Sequence, residues 1–421
     1  MSNKAPEAAA SVETPRYAWI VLFALYLATL SAPLNMFKLP PVMTTIVEAF
    51  NLTPSAQGDL MSIFSVMGFV LAIPAGFILK RFGIKLTILF SVGTVAVGTA
   101  LGAIAASSQM LYVGRFIEGI GMGLVMVSAP LAISIWFPAH NRALPTGLWA
   151  SSVGVGNVVT LIAAPSMAVK YGWQSVWWAG AAFAALAFVL FAILFRMPRP
   201  EEMPEAPAPP SAGNEAPPSL FRGMSNINYW LIGIGFGVYN LVVMAMCTFL
   251  PTFLELKHGY LRTYDQGLFM NASFVTAFIM LASIFSAPGG GYISDKLGSR
   301  KTVVLVSYAV MTLTFLVPFS LAPGWQIPVY MLIFGLFGGP IAPILLAAVP
   351  EVSKKPQLIG IGMACSALCQ NLGMYIGPSL FIRIVEAKGG VLETPAWATA
   401  GYCMIPFCII GMLAVWRIKV R

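Results

Sequence analysis

The chain has 421 residues, 58% of them hydrophobic and only 9% charged, with a formal net charge of +9 and a mean hydropathy of +0.83. A soluble domain carries about 25% charged residues, and a soluble fold of this length cannot bury so much apolar surface. Composition therefore argues against a soluble enzyme, a disordered scaffold or a nucleic-acid binder, and points to a polytopic membrane protein.

Residues 1–16 are polar, contain Lys4, Glu7, Glu13 and Arg16, lack the order of a cleaved signal peptide, and are expected to form a cytoplasmic tail. Charge-free stretches then predict membrane helices near 17–47, 59–79, 86–106, 109–135, 144–168 and 175–196, forming a first bundle over 17–196. A run rich in Pro, Ala and Glu from Pro198 to Ser225 predicts a flexible cytoplasmic linker over 197–227. A second set follows near 228–252, 265–290, 302–321, 327–349, 358–382 and 397–416, forming a second bundle over 228–416 with a tail at 417–421. The charge-free stretch from Thr302 to Pro350 must hold two spans, split at Ala322-Pro323-Gly324-Trp325.

With both termini inside, the cytoplasmic segments hold seventeen of the 24 Lys and Arg residues, the outer loops five, and the spans only Lys38 and Arg115. This bias predicts cytoplasmic termini, so the positive charge encodes topology and implies no nucleic-acid partner. The five cysteines all lie in apolar runs. Cys365 and Cys369 are one helical turn apart but lack His or acidic neighbours, so no metal or other cofactor is expected. His140 and His258 fall in opposite loops. The Gly335–Gly339 stretch has no lysine and sits in a span, so it reads as helix packing and not as a phosphate loop. With no nucleophile–base pair either, no enzyme is indicated.

An internal repeat pairs Gly76-Phe-Ile-Leu-Lys80-Arg-Phe-Gly83-Ile-Lys85 with Gly291-Tyr-Ile-Ser-Asp295-Lys-Leu-Gly298-Ser-Arg300-Lys301, without a gap, at an offset of 215 residues. Gly76 and Gly291 are expected to let neighbouring helices approach closely, and Gly83 and Gly298 to make tight turns. The second segment resembles the signature loop of the major facilitator superfamily, glycine-x-x-x-aspartate-(arginine/lysine)-x-glycine-arginine-(arginine/lysine). Arg115-Phe-Ile-Glu118-Gly119-Ile-Gly121 is similar to that family's arginine-x-x-x-glycine-x-glycine motif. The resemblance covers the whole chain and implies an all-α fold of twelve transmembrane helices in two six-helix pseudo-repeat bundles, working as a monomer. Compact loops and the absence of targeting segments lead us to expect a bacterial inner membrane. The loop residues Gly76, Gly83, Gly291, Asp295, Gly298 and Arg300 would form the conformational switch. Lys80 stands where the family has an aspartate, which leaves Asp295 alone to hold the outward-facing state.

An ionisable group at bilayer depth costs about 2.5–3.5 kcal/mol and needs a partner or a function. Lys38, Arg115 and Glu118 are the three well inside spans, roughly 9–14 Å from the outer surface at about 1.5 Å per residue. Arg115 and Glu118 are three residues apart and can pair on one helix face. That pair is either structural or the place where Glu118 takes up a coupling proton. Lys38 either snorkels to the outer headgroups or faces the aqueous cavity and binds an anion. Two cations and one acid leave a net +1, suited to a monoanion, and protonating Glu118 would make it +2. Asn35 shares the face of Lys38, and Tyr239, Asn240, Asn271, Gln370, Asn371 and Tyr375 are candidates to complete a substrate pocket. Each can instead serve an interhelical hydrogen bond.

Two features choose between substrates. Leu34-Asn-Met-Phe-Lys38-Leu-Pro-Pro followed by Leu52-Thr-Pro-Ser-Ala-Gln-Gly resembles the first span of cyanate-permease-like small-anion transporters, with lysine in place of arginine and the register shifted. The fifth span has Gly154-Val-Gly156-Asn157 without the proline of the family's drug exporters. The resemblance therefore implies proton-coupled import of a small anion, with a drug or metabolite exporter as the alternative.

Overall fold

The computed structural model describes residues 15–72, 74–138, 143–199, 224–317, 319–353 and 358–418. Lys4, His140, Arg142, Arg222, Lys354, Lys355 and most of the expected linker lie outside the described residues. The first span is a helix over Arg16–Met36, a short 3-10 turn over Pro40–Val42 and a helix over Met43–Phe50. Proline has no backbone N–H to continue the helical ladder, so Pro40 and Pro41 impose the break. The second span starts as Pro54–Leu71 and finishes in the first turns of the helix Pro74–Ala103. That helix breaks at Gly83 (φ +76°, ψ 170°), a backbone geometry that glycine adopts without steric cost. The chain turns there into the third span.

The fourth, fifth and sixth spans are Ser108–Trp136, Ala143–Tyr171 and Trp173–Leu194. The seventh and eighth are Ile227–His258 and Ala272–Leu297, and the ninth, Arg300–Thr314, is short. Two pieces, Gln326–Gly338 and Ile341–Val352, make the tenth. The eleventh is Ile359–Ala387, and Thr394–Tyr402 with Ile405–Arg417 make the twelfth. Among the described residues, ten helical stretches are long and apolar enough to cross a membrane; the broken second and the short ninth spans complete the twelve.

The spans form two six-helix bundles. In the first, span one packs on spans four, five and six, and the third on the fourth. The halves meet along two seams, the second span against the eleventh and the fifth against the eighth. The C-terminal half has one apolar core, built around Tyr229, Tyr308, Phe334 and Trp397. In the N-terminal half one cluster surrounds Trp136 and Phe191. Another surrounds Phe37, Phe64 and Trp177, and takes in Met244 and Met374 from the opposite half. The end of the molecule carrying Pro15 and Ile418 is called the terminal end below, and the opposite one the distal end.

The repeated loops meet expectation in part. Gly298 caps the eighth span at φ +62° and Gly83 makes its turn. A Cβ placed on Gly76 or Gly291, however, would have no neighbour within 4 Å, so neither glycine allows a close helix approach in this conformation. Arg300 pairs with Glu351 of the tenth span at 2.8 Å, while Asp295 is exposed and forms no ion pair among the described residues.

A buried charge cluster and a distal clasp

The break in the first span places two functional groups at once. Pro40 cannot donate to the Met36 carbonyl, and the helix end leaves the Asn35 carbonyl unbonded as well. The Arg115 guanidinium of the fourth span supplies both missing donors, with Nη1 2.6 Å from the Asn35 carbonyl oxygen and Nη2 3.0 Å from that of Met36. Its Nη1 also lies 2.8 Å from Glu118 Oε2, one turn along the same helix. Lys38, inside the break, turns inward: its Nζ is 2.6 Å from Glu118 Oε1, 3.0 Å from Asn35 Oδ1 and 3.3 Å from Thr99 Oγ1.

Glycine makes room for this cluster. Gly98 of the third span and Gly114 of the fourth face each other; a Cβ on Gly98 would sit 2.6 Å from the Gly114 carbonyl oxygen and 2.9 Å from Glu118 Cγ. The two helices therefore touch backbone to backbone beside the carboxylate. Trp177 lies under Lys38 with its ring centroid 4.8 Å from Nζ, and Phe64 lies 4.7 Å from the Arg115 guanidinium. Lys38 and Arg115 are each 1% exposed and Glu118 is 0% exposed. Charges taken out of water need such pairing, although Arg115 Nε finds no hydrogen-bond partner among the described residues.

The expected three charges thus share one site, but its setting differs from both expectations for Lys38. The lysine neither snorkels to headgroups nor faces an aqueous cavity; it is sealed inside the N-terminal bundle by its ion pair with Glu118. Asn35 joins it as expected, accepting from Lys38 through Oδ1 and donating to the Ser31 carbonyl oxygen at 2.8 Å. Thr99 and Trp177 complete the cluster; a threonine in an apolar run carries no signal of its own.

The remaining candidates scatter. Asn271 is not within the eighth span at all. It caps that helix through a 2.8 Å bond from the Phe274 amide, and its Nδ2 donates to the Arg262 carbonyl oxygen at 3.0 Å. Its role here is to fasten the preceding loop. Tyr239 packs toward Gly338 of the tenth span. Asn240 and Asn371 donate to their own helices, to the carbonyl oxygens of Phe236 and Ala367, each at 2.9 Å, and not across an interhelical contact. The Asn371 amide also abuts Gly68 of the second span. Gln370 is half-buried and Tyr375 exposed.

Sequence reading missed a second feature. Among the described residues, the hydrogen bonds and ion pairs that join the halves lie at the distal end. Arg383 holds both carboxylate oxygens of Asp59, at 3.2 and 3.0 Å. Ser379 donates to Asp59 at 2.7 Å and stands 3.0 Å from the Ser62 hydroxyl. On the other seam Thr44 and Arg262 both bond Glu255 Oε2 at 2.9 Å, and Arg262 reaches Thr45 at 3.2 Å and Glu48 at 3.4 Å. Tyr264 adds a 2.6 Å bond to the Ile162 carbonyl oxygen. These contacts clasp the distal end shut over the apolar layer of Met36, Phe37, Met244 and Met374.

Twelve helices in two bundles, buried intramembrane charges and a closed clasp at one end together define a transporter of the membrane-embedded, two-bundle kind. The sequence profile of the Major Facilitator Superfamily matches residues 25–285 and 267–421; the chain belongs to that superfamily. It is 24% identical to the uncharacterized transporter YybO of Bacillus subtilis, over 64% of each chain. It is also 24% identical to the hexuronate transporter of the same species, over 88% of each, and 26% identical to the multidrug resistance protein MdtL of Klebsiella pneumoniae, over 72% of this chain and 82% of that one. A bacterial homolog of the human lysosomal transporter Spinster has the same fold, with a TM-score of 0.76 at 16% identity over 96% of this chain and 97% of that one.

Proposed function

We propose that the protein imports a small organic or inorganic anion together with protons, by alternating access. The observation that carries this reading is the buried cluster, in which Lys38 and Arg115 share the single carboxylate of Glu118 and leave a net +1 in a dry interior. The likeness to a hexuronate transporter supports the sign of the cargo. A proton on Glu118 would raise the charge of the cluster to +2 and release both cations to a monoanion. The bias of Lys and Arg supports placing the terminal end in the cytoplasm, so that the clasped distal end faces outward and this conformation opens inward. Rocking of the two halves would then break the Asp59–Arg383, Thr44–Glu255 and Glu48–Arg262 contacts and bring Asp295 toward the opposite half. A bacterial inner membrane and a monomeric working unit complete the reading.

The test uses purified protein in proteoliposomes with a pH-sensitive dye inside and nitrate, gluconate or glucuronate added outside. The reading expects at least one anion to acidify the lumen, and expects Lys38→Met and Glu118→Gln to abolish the signal. The likeness to MdtL favours a second reading, exchange of protons for a cationic drug at Glu118. That exchange would instead make the lumen alkaline on addition of tetraphenylphosphonium, with no response to anions.

A further inference from the structure

Two buried hydroxyls of the seventh span serve no bond in this conformation. Thr248 and Thr252 are 0% and 2% exposed, and neither Oγ1 has a hydrogen-bond partner among the described residues. A threonine inside a helix can bond the carbonyl oxygen one turn back. Thr87, Thr160, Thr276 and Thr312 do so, at 2.7–2.8 Å, but Thr248 and Thr252 do not. Folded proteins rarely leave a buried polar group unpaired, because it disfavours the conformation that does so. Where a chain breaks that rule twice on one helix, function is the place to look for the reason.

The direction of the two side chains follows from the stripe they share. Met244 belongs to the apolar layer with Met36 and Phe37, and Glu255 accepts from Thr44 at 2.9 Å, so both face the first span. At 3.6 residues per turn, Thr248 and Thr252 fall between them on that side. Phe249 and Phe253 take the other side and pack against Phe319, Phe381 and Trp397 in the C-terminal core. The first and seventh spans both run from the terminal to the distal end, and the turn Pro40–Val42 packs on the seventh. The two hydroxyls are therefore level with the break in the first span, between the Thr44–Glu255 contact of the clasp and Lys38. Parting of the halves uncovers this face of the seventh span. Hydroxyls one turn apart can then donate to an oxyanion, and donors without charge hold it weakly enough to pass it on.

Resting on the anion reading above, we propose that Thr248 and Thr252 bind the anion on its way from the distal end to the Lys38 cluster. Their hydroxyls go unpaired while the clasp is closed and are served by the cargo when it opens.

The test is thiol labelling of detergent-purified protein, since the rate at a buried site follows the population of the open form. Thr248→Cys and Thr252→Cys are made singly in a background free of native cysteines, each with and without Arg383→Ala, and treated with the anionic reagent sulfonatoethyl methanethiosulfonate. Both cysteines are expected to react at least tenfold faster with Arg383→Ala. Nitrate, gluconate or glucuronate should protect them, and tetraphenylphosphonium should not. Equal rates with and without Arg383→Ala would overturn the inference. Faster labelling that none of the four probes slows would also overturn it, while leaving the anion reading standing. Protection by tetraphenylphosphonium alone would keep the distal route but overturn the anion reading and the inference with it. Thr248→Val combined with Thr252→Val gives a second check should a cysteine variant fail to fold. Valine keeps the shape and removes a hydroxyl that has no partner here, so the melting temperature should not fall. The concentration of the transported anion that gives half-maximal uptake into proteoliposomes should rise at least threefold, and an unchanged value would overturn the inference.

Discussion

Lys38 and Glu118 lie 80 residues apart in the chain and 2.6 Å apart in the fold, and their ion pair is closed off from both water and lipid. The arrangement is unsymmetrical, because Glu118 serves two cations while each cation has, among the described residues, only this one carboxylate. Removing different members of the cluster should therefore have very different effects.

Glu118→Gln leaves two unpaired cations in a dry interior, whereas Lys38→Met leaves the neutral Arg115–Glu118 pair and fills the space of the lysine stem. Breaking a buried pair by removing one partner costs about 3–5 kcal/mol. Melting of the purified variants should show Glu118→Gln losing stability on that scale and Lys38→Met losing far less. Equal losses would mean that the cluster is not balanced through Glu118.

Arg115 does a second job, since its Nη atoms bond the carbonyl oxygens left free at the break in the first span. Arg115→Lys keeps the charge but cannot reach two carbonyl oxygens and a carboxylate with one ammonium. It should lose stability and raise amide exchange around residues 35–39, as read by hydrogen–deuterium exchange. Unchanged exchange there would remove the capping role.

The distal clasp makes a positional prediction. The hydroxyl oxygens of Ser62 and Ser379 are 3.0 Å apart across the seam, a separation compatible with a disulfide between the same positions. In a background free of native cysteines, Ser62→Cys with Ser379→Cys should cross-link under oxidation, stop transport, and recover on reduction. Arg383→Ala should act the other way, favouring the distal-open state. Because Arg383 is 60% exposed, its ion pair should also weaken with added salt.

Two glycines of the eighth and eleventh spans should separate sharply. A side chain on Gly373 would run into the Gly237 backbone, while one on Gly291 would meet nothing within 4 Å. Gly373→Ala should cost about 1–3 kcal/mol as overpacking, and Gly291→Ala should leave the melting temperature unchanged. A large loss at Gly291 would restore the close approach that the sequence motif suggests.

Much of this architecture is readable from the chain itself. Charge-free runs mark the twelve spans because a buried charge is costly everywhere in a bilayer, and the isolated Lys38, Arg115 and Glu118 stand out for the same reason. Their mutual distances are not readable, because helical rise gives depth but not rotation. The break at Pro40 turns Lys38 inward, where a straight helix would have allowed it to face a cavity. Asn271 is misplaced by sequence because an apolar run does not reveal where its first turn begins, and the capping bond to Phe274 decides that. The clasp escapes notice for a different cause: Asp59, Glu255, Arg262 and Arg383 look like ordinary loop and helix-end charges until the two halves are set side by side.

The central claim is that a net positive, buried cluster draws an anion into the protein. Currents recorded from proteoliposomes on a solid-supported membrane test it most directly, with rapid jumps of gluconate, glucuronate, nitrate and tetraphenylphosphonium. The expected result is a transient current on an anion jump in the wild type that vanishes in Lys38→Met, a variant that should remain folded. Currents evoked only by tetraphenylphosphonium, and unaltered in Lys38→Met, would contradict it.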